Sequence, residues 1–500
     1  MRLFLRWLFR LALGAIALAA ITVVVVLVVH ARQLDRLKRL AGIPPSVYIV
    51  EQSPSIVLDH VRVIDGSGGP PREDQSIVIG SGKITYAGPS AGRPNLPTSK
   101  VLDLTGRTVF PGLVGMHEHL FMTAAIPSRK SLLAQQSTAF PLMYLASGVT
   151  TMRTAGSIAP EQDLLIKQRI DQGEAVGPEM FLTAPYLEGR PAMFPEMHVL
   201  EGPEEARRAV DTWADRGMTS FKAYMTITPD ELQAAVTEAH ARGLKITGHL
   251  CTIGFRQATD LGIDNLEHGL LVDTEFYSKK QPDTCPGRRA TLDWMAEYNN
   301  QLDVESPPVQ DMIRYLVSHH VVVTSTLAVM EEASGYPRHP EDTDRARRAM
   351  TWQAWLFSRM KIALAARFAH LDRLLGKEMA FEHDFVKAGG ALLAGSDPTG
   401  PGSVLAGFAD QREVELLVQA GFTPVEAIHI ATQNGAEFLG IGSRVGTISP
   451  GKQADLVVVE GDPSRNISDI RNVEMVFRNG IGYNPAKLLA GIDGVVGLKD

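Results

Sequence analysis

Phe110-Pro111-Gly112-Leu113-Val114-Gly115-Met116-His117-Glu118-His119 is the stretch that decides how the rest of the chain is read. A Pro-Gly turn opens a short apolar run, and the run ends in His-x-His. In an extended strand, residues i and i+2 point to the same side. His117 and His119 can therefore reach one ion while Glu118 points away. His-x-His alone is a weak signal; its place at the end of an apolar strand strengthens it.

Four later segments repeat the pattern of an apolar strand ending in a polar group. Ser220-Phe221-Lys222-Ala223-Tyr224 carries a lysine in an apolar setting. Ile246-Thr247-Gly248-His249 ends in histidine, and Asn265-Leu266-Glu267-His268 does so 19 residues later. Ala391-Leu392-Leu393-Ala394-Gly395-Ser396-Asp397-Pro398 runs into an aspartate. Between them lie helix starts with capping boxes and Pro at the first helical position, Thr228-Pro229-Asp230-Glu231 and Thr423-Pro424-Val425-Glu426. A glycine stop at Gly243 leads straight into the next strand. This alternation predicts an α/β fold with a parallel sheet, a (β/α)8 TIM-type barrel with insertions over residues 111–446. In such a barrel the C-terminal strand ends converge on one mouth. His117, His119, His249, His268 and Asp397 would there form a nitrogen/oxygen ligand set of the zinc type. Each of them alone has a plainer reading as a satisfied core residue; the ordered ensemble is what points to a site. His429 within a helix and His319 and His320 before a strand are read as structural, and His240 in the helix before Gly243 as facing solvent. Tyr224 shares a strand face with Lys222 and either donates to a developing oxyanion or packs in the barrel.

Outside this unit the texture changes. Short apolar stretches separated by Gly, Pro and Ser run from 55 to 109 and again from 446 to 482, which predicts a small β-sandwich built from both flanks. The expected division is 1–40 membrane anchor and basic linker, 41–110 and 447–485 composite β-sandwich, 111–446 metal-site barrel and 486–500 C-terminal tail. Two insertions, 273–308 and 341–387, are candidates for a lid or a partner surface. The loops 185–199 and 331–340 should select substrate, and Arg190, Arg288 or Arg289 could clamp a carboxylate.

Composition narrows the partners. The 500 residues carry a formal charge of −7, so nothing suggests nucleic-acid binding. Cys251 and Cys285 could pair, but two cysteines are no disulfide framework, and they read as buried or incidental thiols. Residues 11–29 contain no charge and are bracketed by arginines and lysines. At ~1.5 Å per residue this run nearly matches a ~30 Å hydrocarbon core, and it is longer than the usual signal-peptide core of roughly 7–15 residues. It predicts an uncleaved transmembrane helix with the catalytic domain outside the cytoplasm, the alternative being a cleaved signal and a secreted enzyme. A homo-oligomer is compatible with the sequence.

Taken together, the Pro-Gly-x-x-x-x-His-x-His stretch, the strand lysine, the two spaced histidines and Gly395-Ser396-Asp397-Pro398 resemble the amidohydrolase superfamily. The chain is most similar to the imidazolonepropionase-related branch, with its metal-dependent Xaa-Pro dipeptidases and ochratoxin-hydrolysing enzymes, over residues 50–482. The resemblance implies two divalent metal ions, zinc by preference. His117, His119 and Asp397 would hold one, His249 and His268 the other, and a CO2-derived carbamate on Lys222 would bridge them. It implies hydrolysis of a peptide-like or N-acyl amino acid amide by a metal-activated hydroxide, with Asp397 carrying the proton. A cyclic amide, lactone or ester hydrolase on the same site is the alternative. Single-metal deaminases of the superfamily carry a glutamate three residues after the fifth-strand histidine; Thr252 stands there. A catalytically inactive membrane-anchored scaffold would be the reading if no metal bound.

Overall fold

The computed structural model describes residues 2–499 apart from 129–130, 287–296, 299, 335–339, 366–370 and 401–403. Short, largely buried runs form the strands, most of them covered on both faces as in a parallel sheet. Eight such strands follow one another among the described residues: Leu113–Glu118, Val149–Thr154, Glu179–Phe181, Ser220–Ala223, Lys245–Gly248, Asn265–Glu267, Val322–Ser325 and Leu392–Ala394. The first three pair in parallel, and the fourth to eighth pair in parallel in order. Parallel bridges Thr183↔Ser220 and Leu187↔Ala223 join the two sets. At the other edge the Asp397 amide donates to the His117 carbonyl at 2.9 Å, so the eighth strand end meets the first.

Helices between the strands begin and end where local chemistry requires. Pro229–Ala241 starts at Thr228, whose hydroxyl accepts from the Glu231 amide in a reciprocal capping box. It stops at Gly243, held at φ 69°, a left-handed conformation that glycine adopts without steric cost. Pro424–His429 starts the same way at Thr423.

The two β-rich flanks form one nine-stranded sheet. Leu456–Glu460 from the C-terminal flank pairs antiparallel with Arg107–Pro111, the strand that leads into the Pro-Gly turn. Ile56, Leu58, Ile77, Val109, Leu456 and Phe477 fill its own apolar core. This sheet therefore grips the chain immediately before the His-x-His strand.

Three features add to or differ from expectation. Segment 32–45, a basic and partly helical linker by sequence, is helical to Ala41 as the end of one 40-residue helix, Arg2–Ala41, about 60 Å long. Leu34, Leu37 and Leu40 recur at i, i+3 and i+6, and Leu37 and Leu40 are buried in the main core. The last residues are no loose tail. Leu488, Ile492, Val495, Val496 and Leu498 are buried, and the Gly497 amide donates to the Gln136 side chain at 2.9 Å.

Cys251 and Cys285, expected as thiols, form a disulfide with Cα atoms 4.9 Å apart. The insertion after Asp273 doubles back over the fifth-strand end. Thr274 Oγ1 and Lys280 Nζ both donate to the Cys251 carbonyl at 2.7 Å, which brings the distant cysteine into range. No spacing rule on a single sequence could anticipate that return. The bridge spans 34 positions. A loop of that size is worth roughly 4 kcal/mol in the chain-entropy account. Reduction, or Cys285→Ser, is expected to lower the unfolding free energy by up to that amount, read from denaturant midpoints with and without reductant.

Candidate active site

The strand grammar brings the candidate residues to one place. His117 lies on the first strand and His119 just beyond it, Lys222 on the fourth, His249 and His268 just past the fifth and sixth, and Asp397 just past the eighth. All six, with Tyr224, line one cavity of about 410 Å³. Asp397 Oδ1 lies 3.1 Å from His119 Nε2 and 3.8 Å from His117 Nε2. Lys222 Nζ lies 3.0 Å from His117 Nε2. The His268 ring sits 4.5 Å from the His117 ring and 4.5 Å from the His249 ring, so it links the two halves. The Tyr224 ring packs tilted against His249 at 5.0 Å and edge-on against Tyr186 at 4.8 Å. His268 and Asp397 adopt left-handed backbone, φ 65° and 46°. Such positions cost of order 1–3 kcal/mol each and persist where the surroundings over-determine them.

The donor set fits a divalent cation. One ligand atom from each of His117, His119 and Asp397 falls within 4.8 Å of the others. Asp397 Oδ1, which faces His119 Nε2, is buried without a hydrogen-bond partner, a costly arrangement that an ion would relieve. His117 Nδ1 is tied to Glu267 at 2.7 Å and His268 Nδ1 to the Thr326 hydroxyl at 2.7 Å, which leaves Nε2 of each ring as the ligating nitrogen. Burial, helped by the Lys222 charge, lowers His117 to about 4 and His249 to about 3, so both imidazoles are neutral at physiological pH. Burial raises Asp397, but His117, His119 and His268 outweigh it and hold the carboxylate well below its usual range. Burial brings Lys222 down to about 8. Neutral imidazoles, an ionised carboxylate and a readily deprotonated amine are the protonation states that metal ligation needs.

Beneath this ring of candidate ligands lies a polar layer that sequence reasoning passed over. Arg153, on the second strand, is fully buried; its Nη2 donates to Glu267 Oε1 at 2.6 Å and its Nη1 to the Asn265 side chain at 2.9 Å. Thr247 donates to the same Glu267 oxygen. Glu267 thus joins a buried cation to His117. The available signal was the period of two in Asn265-Leu266-Glu267, which sends both polar side chains to one face. Glu118 does point away, accepting from the Ser396 hydroxyl at 2.6 Å.

The loop 185–199 reaches the cavity with Tyr186, Phe194 and Met197 rather than with its charges. Arg190 pairs with Glu201 and His198 with Glu205, both largely exposed. Arg288 and Arg289 lie outside the described residues. With Phe121, Leu132, Leu133 and Phe357 completing the wall, the cavity is apolar away from its histidine-lined end. His240 is half-exposed against Asp264, His429 bonds the Gly66 carbonyl, and His319 stacks on Tyr315, so these histidines are structural.

A fold with an N- and C-terminal β flank, and parallel strands that present histidines, a lysine and an aspartate at one end, defines a class of metal-dependent hydrolases. The chain matches the Amidohydrolase family over residues 108–283 and 323–481 and belongs to it. It is a hydrolase acting on carbon–nitrogen bonds. It is 22% identical over 407 residues to a 5-methylthioadenosine/S-adenosylhomocysteine deaminase of Symbiobacterium thermophilum, covering 78% of this chain and 81% of that protein. Its fold is shared with a Bifidobacterium longum protein named as a candidate prolidase (TM-score 0.64, 24% identity, 89% of this chain and 98% of that one). A Xaa-Pro dipeptidase with bound methionine in its active site shares it too (TM-score 0.64, 20% identity, 86% of this chain and 100% of that one).

Proposed function

We propose that the eight parallel strands constitute a (β/α)8 barrel whose mouth holds a binuclear centre, and that the enzyme hydrolyses an amide flanked by an apolar group, an N-acyl amino acid or a dipeptide with an apolar side chain. The observation that carries this reading is the placement of Lys222. Its Nζ is buried, 3.0 Å from His117 Nε2, in the same cavity as His249 and His268. As a cation it would repel metal. Carboxylated by CO2 it would become a two-oxygen anion able to hold divalent ions together with the histidines. His117, His119 and Asp397 would hold one ion and His249 and His268 the other. Bound divalent ions would supply Lewis acidity and a water of lowered pKa.

The chain's own groups account for the rest. Asp397, beside His119, accepts the proton of the attacking water and delivers it to the leaving amine. Tyr224 on the cavity wall, with its hydroxyl held protonated by burial, donates to the carbonyl oxygen as negative charge develops there. Phe121, Phe194, Met197 and Phe357 exclude water from the apolar arm. Deamination fits less well, because Thr252 occupies the position three residues after His249 and Asp397 is the only carboxylate among the described cavity-lining residues. The N-terminal apolar helix and the Cys251–Cys285 disulfide together support a membrane anchor with the catalytic domain on its oxidising side.

Metal analysis of the full chain, purified in detergent from bicarbonate- and zinc-supplemented cells, tests the centre. About two equivalents per chain are expected, falling to one or fewer in Lys222→Ala. One equivalent in both proteins would replace the bridged centre by single-metal chemistry, and none in either would leave a scaffold.

A further inference from the structure

The helix Trp352–Ala365 is apolar on both sides. Inward, Phe357 lines the active-site cavity, and the helix packs on the hairpin strand Phe121–Ser128. Outward, Trp352, Leu356 and Met360 recur at i, i+4 and i+8, on one face, at 46%, 52% and 61% exposure. A globular surface helix normally turns charge outward on that face. Arg348 just before the helix and Arg359 within it are exposed beside the stripe.

The position of this face relative to the N-terminal helix says what covers it. Arg36 donates to the Asp493 carbonyl, the next residue's amide donates to the Arg348 carbonyl at 2.8 Å, and the Thr351 amide donates to the Val496 carbonyl at 2.9 Å. A single short segment, 493–496, thus touches both the anchor and the start of the apolar helix. The uncharged run ends at Val29, seven residues before Arg36, which is about 10 Å along the helix. The headgroup zone beyond the hydrocarbon is roughly 5–8 Å deep on each side. The docked anchor therefore brings the start of this helix to the lipid surface.

We propose that the Trp352–Leu356–Met360 face lies in the headgroup layer of the membrane, with Arg348 and Arg359 on anionic lipid, and holds the rim of the active-site cavity against the bilayer. This rests on the membrane-anchor reading above. Tryptophan at the interface, an apolar stripe and flanking arginines are the composition of a surface that lies on anionic membranes. A cavity so placed, with Phe357 at its wall, receives an amphiphilic amide from the lipid phase.

The test uses the full chain in vesicles of phosphatidylcholine with one quarter phosphatidylglycerol. Leu356→Cys, and separately Met360→Cys, is labelled with an environment-sensitive fluorophore, the native cysteines being closed in their disulfide. Gln233→Cys, exposed on the helix after the fourth strand, is the reference. At least twofold stronger quenching by headgroup nitroxide lipids at 356 and 360 than at 233, lost when phosphatidylglycerol is omitted or salt is raised, is the expected result. Equal quenching in a chain that floats with vesicles overturns the interfacial face while leaving the anchor standing. A chain that does not float overturns the anchor reading and this one with it. Self-quenching between labelled copies in place of lipid quenching would assign the face to a second copy and overturn the proposal.

Discussion

Asp397→Asn is expected to lower kcat by about 10³-fold, within the 10²–10⁴ range typical of a positioned proton carrier, with KM changed less than about threefold. The change keeps the size of the side chain, and asparagine tolerates the left-handed backbone that the residue adopts at φ 46°. Folding should therefore survive, and the remaining amide oxygen can still face the histidines. What is lost is the ability to take a proton from water and hand it to the departing amine. Asp397→Ala should lose metal as well, because Asp397 Oδ1 sits among the His117 and His119 nitrogens. Steady-state kinetics and metal content on the two variants separate the roles. An unchanged kcat in the asparagine variant would remove Asp397 from proton transfer, and an unchanged metal content in the alanine variant would remove it from the ligand set.

That the residues of this candidate site could be picked out of a bare sequence has a physical cause. A buried parallel strand is mostly apolar, so a polar group at or near its C-terminal end is conspicuous, as at His117, Lys222, His249, His268 and Asp397. Capping boxes at Thr228 and Thr423 are equally local, and both helices start where that chemistry requires. What escaped notice depends on partners far apart in the chain. Glu267 is one residue from a candidate ligand, yet its role follows from Arg153, 114 positions earlier. The disulfide needs an insertion to fold back over a strand end. The last turns of the N-terminal helix read as a basic, partly helical linker until Leu37 and Leu40 find the core. The outward face of Trp352–Ala365 carries no periodic contrast, because the inward face is apolar too.

The Arg153–Glu267 pair gives the largest expected effect on stability. Both side chains are buried, at 2% and 0% exposure, and Nη2 lies 2.6 Å from Oε1. Burial alone would raise Glu267; Arg153 first and His117 next pull it well below the usual carboxylate range, so the pair is ionised. Glu267→Leu leaves a guanidinium buried without its counter-charge, and the expected cost is about 3–5 kcal/mol in denaturant unfolding. Arg153→Met combined with Glu267→Leu removes both charges and should recover most of that loss, since apolar groups of similar volume often replace a buried pair at little cost. Metal affinity should not recover with it. In both variants His117 Nδ1 has lost the carboxylate that orients its ring, and losing such a partner typically weakens metal binding about 10–100-fold. Chelator competition on the two variants, read beside their unfolding curves, separates support of the fold from positioning of His117. Recovery of both properties in the double variant would make the pair structural only, and additive destabilisation would show that Arg153 does not depend on Glu267 for its charge.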